Sequence, residues 1–110
     1  MMKIYVIGPV SNIENDNRPA FEQAARELHE ALGCEVEIPH DTIKPGTGWE
    51  EAMHQSLSRL AKADAVAMLD GWTSSRGACL EFQVAEILRH YGLVEVRTVK
   101  EWLDDAPKAA

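Results

Sequence analysis

The sequence predicts a single α/β domain built around a parallel sheet, and three observations lead to this prediction. Short apolar runs alternate with longer amphipathic segments in the order β-α-β-α-β-α-β. The 110 residues suffice for one domain and leave little room for a second. The run at 64–69 is almost continuously apolar, which is typical of a central strand covered on both faces.

The first half of the chain contains two predicted strands and one predicted helix. Residues 3–7 (KIYVI) are β-branched and aromatic, as in a strand. Residues 19–32 place apolar side chains along one helical stripe, with Asn17 or Asp16 as the predicted cap. Residues 34–38 (CEVEI) alternate apolar and acidic side chains, which indicates a strand with one exposed face.

The second half repeats this alternation. Turn-forming residues predict a loop over 39–48, and apolar side chains at helical spacing predict a helix over 49–60. The remaining predicted elements are the strand 64–69, the helix 77–91, the strand 93–99 and a short helical end at 100–105.

This order of elements implies parallel strands joined by right-handed crossovers, with helices on both faces. We therefore predict a flavodoxin- or Rossmann-like three-layer sandwich of four or five strands in the order 2-1-3-4(-5). The domain spans 1–110, with its core in 3–99. Ligands of such sheets bind beyond the carboxyl ends of the strands. That rule selects three segments, which are 8–10, 39–41 and 70–77.

Composition and charge exclude several classes of function. The net charge is −7 and the eleven basic residues are scattered, which disfavours binding to DNA or RNA. A small phosphorylated ligand remains possible at a helix N-terminus. No apolar run is long enough to span a bilayer or to form a signal-peptide core, so we expect no membrane partner. Two distant cysteines without metal-ligand spacing indicate a reduced, cytoplasmic protein with no metal site.

The strongest chemical cluster follows the most buried strand and opens a helix, with the sequence DGWTSSRGACLE over 70–81. Its predicted ligand-binding residues are Asp70, Trp72, Ser75, Arg76 and Gly77. Helix N-termini attract anions, and Ser75 or Arg76 could add contacts to a phosphate. The alternative is that Ser75 only caps the helix.

Glu81 is the candidate nucleophile of this cluster. Its neighbours three and four residues away are small or apolar: Gly77, Ala78, Val84 and Ala85. A carboxylate on such a face is costly unless it has a partner or a task, and one beside a sugar can attack the anomeric carbon. The alternative is an ordinary surface glutamate.

Each of the other candidate site residues has two possible interpretations. Tyr5 belongs either to the core or to the site, where its phenol would orient Glu81. Asp41, with His40, is placed to touch a ligand or is merely exposed. Trp49 and Trp72 could both stack on a base, although Trp49 begins an apolar stripe, which favours its assignment to the core.

The residues together resemble a known family. The resemblance covers 3–99 and rests on segments such as IYVIGP, NRPAF, ADAV, GW, SRGA and LE. It points to a small phage- and bacteria-associated domain family of unknown function. That family is grouped with the nucleoside 2-deoxyribosyltransferases and the 2′-deoxynucleoside 5′-phosphate N-hydrolases.

The resemblance implies a chemistry and assigns roles. The nucleophilic glutamate falls on Glu81, the tyrosine that positions it on Tyr5, and a phosphate-binding serine on Ser75. Gly8 and Pro9 match the turn around the sugar and phosphate. The implied activity is N-glycosidic cleavage or deoxyribosyl transfer on a 2′-deoxynucleoside or its 5′-monophosphate, through a covalent glutamate intermediate and without a metal or cofactor. A homodimer or higher oligomer is also implied, as is a phage-encoded protein acting in the host cytoplasm.

One departure from this resemblance concerns Ser56, which stands where the related enzymes carry an aspartate. Serine is a poor proton donor or acceptor near neutral pH. Either Asp41 or Asp70 takes this role, or catalysis is weak or absent. The alternative function is therefore a nucleotide-binding protein without turnover, such as a phage-type ligand sink or regulator. A general interaction module is a third, weaker candidate.

Overall fold

A computed structural model describes residues 2–107 and contains four strands, four α-helices and three short 3-10 helices in that part of the chain. The strands are β1 (Lys3–Ile7), β2 (Glu35–Glu37), β3 (Ala65–Met68) and β4 (Glu95–Thr98). The helices are α1 (Arg18–Leu32), α2 (Trp49–Ala61), α3 (Arg76–His90) and α4 (Val99–Asp104). Residues 1 and 108–110 of the predicted domain lie outside the described residues.

The four strands form one parallel sheet in the order β2-β1-β3-β4, which confirms the predicted fold and strand order. Helices α1 and α4 pack on one face of the sheet, and α2 and α3 pack on the other. The optional fifth strand does not occur between 2 and 107, where α4 follows β4 directly. None of the helices in this part of the chain has the length and hydropathy to cross a membrane.

The alternating side chains of β1 divide the core into two layers. Ile4 and Val6 face α1 and α4, whereas Tyr5 and Ile7 face α2 and α3. All four are fully buried, because β1 lies between two neighbouring strands and beneath helices on both sides. Tyr5 therefore lies in the core layer between the sheet and the helices α2 and α3, on the side of Glu81.

The N-terminal ends of α1 and α3 differ in how they are capped. Asn17 precedes α1, but its side chain does not cap the helix as predicted. The residue is left-handed, with φ of 56°, and its side-chain amide donates to the Pro9 carbonyl at 2.9 Å. Ser75 does cap α3, since its Oγ accepts a hydrogen bond from the backbone N–H of Ala78 at 3.1 Å.

A half-buried ion pair ties β2 to α2. The Arg59 guanidinium donates two hydrogen bonds to the Glu37 carboxylate, each at 2.6 Å. Lys3 lies 3.5 Å from the same carboxylate. Arg59 and Lys3 hold the pKa of Glu37 below its usual range, although burial of the carboxylate opposes them.

Candidate active site

A cavity of about 290 Å³ opens at the carboxyl edge of the sheet. It is lined by residues that follow each of the first three strands, including Gly8, His40 and Ser75. These positions belong to the three segments that the strand order selected, because the carboxyl ends of parallel strands meet at one edge. The first turn of α2 and the loop before it complete the wall.

The floor of the cavity is a chain of three hydrogen-bonded side chains. Glu81 on α3 and Ser56 on α2 are 5% and 4% exposed, and both line the cavity. The Ser56 hydroxyl donates to Glu81 Oε2, and Tyr5 Oη lies 2.7 Å from Ser56 Oγ. An ionised carboxylate only accepts hydrogen bonds, so the Ser56 proton points to Glu81 and the Tyr5 proton to Ser56.

This arrangement changes the predicted role of Tyr5. The phenol bonds to Ser56, and Ser56 bonds to Glu81, so that any orienting effect of Tyr5 passes through the serine. Glu81 itself is buried rather than an ordinary surface glutamate.

Burial dominates the electrostatics of the floor. It raises the pKa of Glu81 to about 7, while the hydrogen bond from Ser56 lowers that pKa in part. Burial also raises the pKa of Tyr5, and the nearby Glu81 charge adds to this against the hydrogen bond with Ser56. At neutral pH, Tyr5 is therefore a phenol, and Glu81 is divided between its acid and its carboxylate.

Ser75 and Gly77 place the start of α3 against the cavity, and both line it. The Ser75 oxygen accepts the capping bond from Ala78, which leaves the hydroxyl proton to donate elsewhere. A Cβ on Gly77 would lie 3.2 Å from the Met53 sulfur, so the glycine permits a close approach of α3 to α2.

The rim of the cavity is charged and aromatic. Lys44, Arg18 and Asp16 line it, and two of these three are basic in a chain whose net charge is −7. Trp49 also lines the cavity and is 37% exposed, so its assignment to the core was wrong. The Arg76 guanidinium lies 3.7 Å above the Trp49 ring and is not itself a lining residue.

A strained loop closes one side of the cavity. Four residues that are not glycine have left-handed backbones there, with φ between 53° and 65°: Asn12, Asn15, Asp16 and Asn17. Asparagine and aspartate tolerate this conformation better than other side chains. The loop is held by His40, whose Nε2 lies 2.7 Å from the Asp16 carbonyl oxygen, so Nε2 carries the proton that is donated.

Gly8 and Pro9, the residues of the turn after β1, are close to the site for different reasons. Gly8 lines the cavity, and a Cβ at this position would lie 2.8 Å from Leu69 Cβ. Pro9 does not line the cavity, and its carbonyl accepts the hydrogen bond from Asn17.

Besides Pro9 and Arg76, three more of the predicted ligand-binding residues lie outside the cavity wall: Asp41, Asp70 and Trp72. Asp41 accepts a hydrogen bond from the backbone N–H of Ile38 at 2.9 Å, which closes a turn. Asp70 is exposed and does not line the cavity. Trp72 packs against Phe82 with ring centroids 4.5 Å apart. Neither aspartate therefore stands in for an acid beside Glu81.

A part of the site was not predicted at all. Lys44, Met53 and the bridging contact of Ser56 were missed. The burial of Ser56 had a signal in the sequence, because it lies three and four residues from Met53 and Leu60 on the apolar stripe of α2. Between residues 2 and 107, no three His, Cys, Asp or Glu side chains come together in a way that could hold a metal ion.

The structure is a parallel α/β domain with a buried carboxylate in a cavity at the carboxyl edge of its sheet. The structure is similar to the 2-desoxiribosyltransferase from Leishmania mexicana, with a TM-score of 0.62 and 22% identity over 89% of this chain. The chain spans 65% of that protein's length. This similarity confirms, at the level of the fold, the resemblance seen in the sequence.

The family follows from the sequence comparison. The chain belongs to the family described as Domain of unknown function (DUF4406), whose model matches residues 2–92. None of the curated proteins compared with the sequence matches it.

Proposed function

We propose that this protein cleaves the N-glycosidic bond of 2′-deoxynucleosides or their 5′-monophosphates, or transfers the deoxyribosyl group, through a covalent intermediate on Glu81. The observation that carries the proposal is the buried Glu81 carboxylate at the floor of a cavity, with Ser56 bonded to one of its two oxygens. The fold shared with a deoxyribosyltransferase supports the substrate class.

The chemistry follows from the two oxygens of Glu81. Ser56 engages Oε2, so Oε1 is the oxygen available for attack. Oε1 forms a bond to C1′ while the C1′–N bond breaks, and the electron pair of that bond leaves with the base. The oxygen of water, or a nitrogen of a second base, then bonds to C1′ as the C1′–Oε1 bond breaks, which restores the carboxylate. The proton that the attacking group loses goes to the first base, which left as an anion. A 2′-deoxy sugar suits this route, because the missing hydroxyl makes the oxocarbenium-like transition state easier to reach.

The ionisation of Glu81 sets the pH dependence of this reaction. Only the carboxylate is a nucleophile, and burial raises its pKa to about 7. The rate of base release should therefore rise with pH through neutrality and level off above it.

A 5′-phosphate has a suitable place at the start of α3. The Ser75 hydroxyl proton and the backbone N–H groups of the first helical turn lie beside the cavity, and Lys44 and Arg18 line its rim. Anions are favoured at helix N-termini and near such cations. We therefore propose that monophosphates are the better substrates.

The test is a screen of deoxynucleosides and their monophosphates, in which chromatography measures the release of free base. Wild type should release base, Glu81→Gln should not, and Glu50→Gln, on the exposed face of α2, should match wild type. Adding a second base distinguishes transfer from hydrolysis, and intact-protein mass spectrometry detects the deoxyribosyl adduct. Release at the wild-type rate in Glu81→Gln would contradict the assigned nucleophile.

A second candidate function is nucleotide binding without turnover. It is favoured by Ser56, which bonds to Glu81 where the related enzymes carry an aspartate, because a serine hydroxyl is a poor proton donor to a departing base. Tight, saturable binding of a monophosphate that is recovered intact would support this function. Released base would exclude it.

Assembly remains a separate expectation. We propose a homodimer or higher oligomer, because a small core gains stability from a partner. Light scattering at micromolar concentration tests this, and a monomer would contradict it.

A further inference from the structure

We propose that Ser56 is the positioning residue of this site: its hydroxyl holds Oε2 of Glu81, links it to Tyr5 and leaves Oε1 facing the cavity. The consequence for catalysis rests on the proposed function, whereas the positioning itself does not. The inference starts from the hydrogen bonds that join Tyr5 to Ser56 and Ser56 to Glu81 at the floor of the cavity.

The first argument concerns burial. Ser56 lies on the buried face of α2 with Met53 and Leu60, and it is 4% exposed. A hydroxyl in such surroundings is costly unless its hydrogen bonds are made within the protein. Ser56 makes two, one with each of two buried side chains that come from other elements.

The second argument concerns direction. Tyr5 comes from β1 and Glu81 from α3, so the serine joins the sheet to the helix. Because the carboxylate accepts and the phenol donates, the hydroxyl has one geometry that satisfies both. Donation from Tyr5 polarises Ser56 and strengthens its bond to Glu81. The carboxylate is thereby fixed in orientation before a ligand arrives.

The third argument concerns the charges around Glu81. The charged or titratable residues that line the cavity with it are on its rim or in its loops: Asp16, Arg18, His40 and Lys44. On the side of β2 and α2, Arg59 is engaged by Glu37. On α3 itself, the residues three and four positions away are uncharged. Ser56 is the partner that favours the ionised form of Glu81, against burial.

The experiment measures the titration of Glu81 directly. The protein is labelled with glutamate carrying ¹³C at the side-chain carboxyl, and the spectrum of Glu81→Gln identifies the Glu81 signal by its loss. Ser56→Ala should raise the Glu81 pKa by about one unit, so that the ionised fraction at pH 7 falls roughly fivefold. Ser56→Thr keeps a hydroxyl and should restore most of the wild-type titration. Ser58→Ala, on the exposed face of the same helix, should leave the titration unchanged.

A second variant keeps the test decisive if Ser56→Ala does not fold. Tyr5→Phe removes the donor to Ser56 and should raise the Glu81 pKa by less than Ser56→Ala would. The inference would be overturned if Glu81 titrated at the same pH in Ser56→Ala as in Ser58→Ala. If only Tyr5→Phe folds, the same comparison is made with that variant.

The activity assay separates this inference from the proposed function. If wild type releases base, the pH–rate profile of Ser56→Ala should shift to higher pH by the same amount as the Glu81 pKa. If wild type releases no base but the carboxyl signal moves as expected, the positioning role stands and the proposed function fails. If wild type releases base while the profile and the carboxyl signal both stay in place, only the positioning role is refuted.

Discussion

Replacing Glu81 with glutamine should change how the stability of the protein depends on pH. In the folded state burial raises the Glu81 pKa from the usual 4.5 to about 7, whereas the unfolded chain returns it to its usual value. The folded state therefore holds this proton more tightly than the unfolded state. The stability gained from the neutral acid is fully present below pH 4.5 and is lost as the pH rises to about 7.

The size of the effect follows from the difference between the two pKa values. At 1.36 kcal/mol per pKa unit, the contribution of Glu81 to the free energy of unfolding should fall by about 3 kcal/mol across this range. Glu81→Gln has no proton to lose at this position, so its stability lacks that decrease. A change of about 3 kcal/mol is a large part of the roughly 5–15 kcal/mol typical of a small domain.

Urea unfolding at constant ionic strength, from pH 4.5 to pH 8.5, measures the effect. The difference in the free energy of unfolding between Glu81→Gln and wild type should increase towards high pH and level off above about pH 7.5. The other titratable groups are common to both proteins and cancel in this difference. Glu50→Gln, at an exposed position, serves as the control. Parallel pH profiles for Glu81→Gln and wild type would show that Glu81 does not have the raised pKa derived from its burial.

Three further substitutions test other parts of the structure. Ser75→Ala should weaken the binding of a monophosphate by about tenfold and leave a deoxynucleoside almost unaffected, as measured by calorimetry; equal losses would assign the residue to capping alone. Gly8→Ala should destabilise the protein by about 1–3 kcal/mol, since the added Cβ would lie 2.8 Å from Leu69 Cβ, and an unchanged melting temperature would contradict this close approach. Arg59→Gln should destabilise the protein at neutral pH by removing the partner that lowers the Glu37 pKa. That loss should shrink as the pH falls below 4.5 and Glu37 becomes protonated, and a loss independent of pH would contradict it.

Most of the fold was accessible from the sequence because each element repeats a simple pattern. Residues 4–7 alternate between the two helical layers and are all buried, as a central strand requires, and β1 has the predicted bounds. The ends of the other elements differ from the predictions by at most two residues. Periodicity identifies the face of an element, whereas local hydrogen bonds decide its last residue.

The errors arose where a side chain had a choice of partners. Asn17 has the right residue type and position for a cap, but the left-handed backbone turns its amide towards Pro9. Trp49 begins an apolar stripe, yet the first turn of α2 borders the cavity rather than the sheet. Asp41 follows a strand as a ligand-binding residue would, but its carboxylate closes a turn with Ile38. In each case the side chain contacts a residue distant in sequence or a backbone group, and the sequence pattern indicates neither contact.

The bridge at the floor of the site shows why a residue can be predicted while its role is not. The register of α2 indicates that Ser56 is buried, and the small neighbours of Glu81 indicate that a carboxylate there needs a partner. The two meet because α2 and α3 pack closely, with Gly77 of α3 against the sulfur of Met53 on α2. A larger residue at 77 would favour a wider separation of the helices, and O–H···O hydrogen bonds form only over a narrow range of donor–acceptor distances. The chemistry of the site thus depends on a glycine that carries no reactive group.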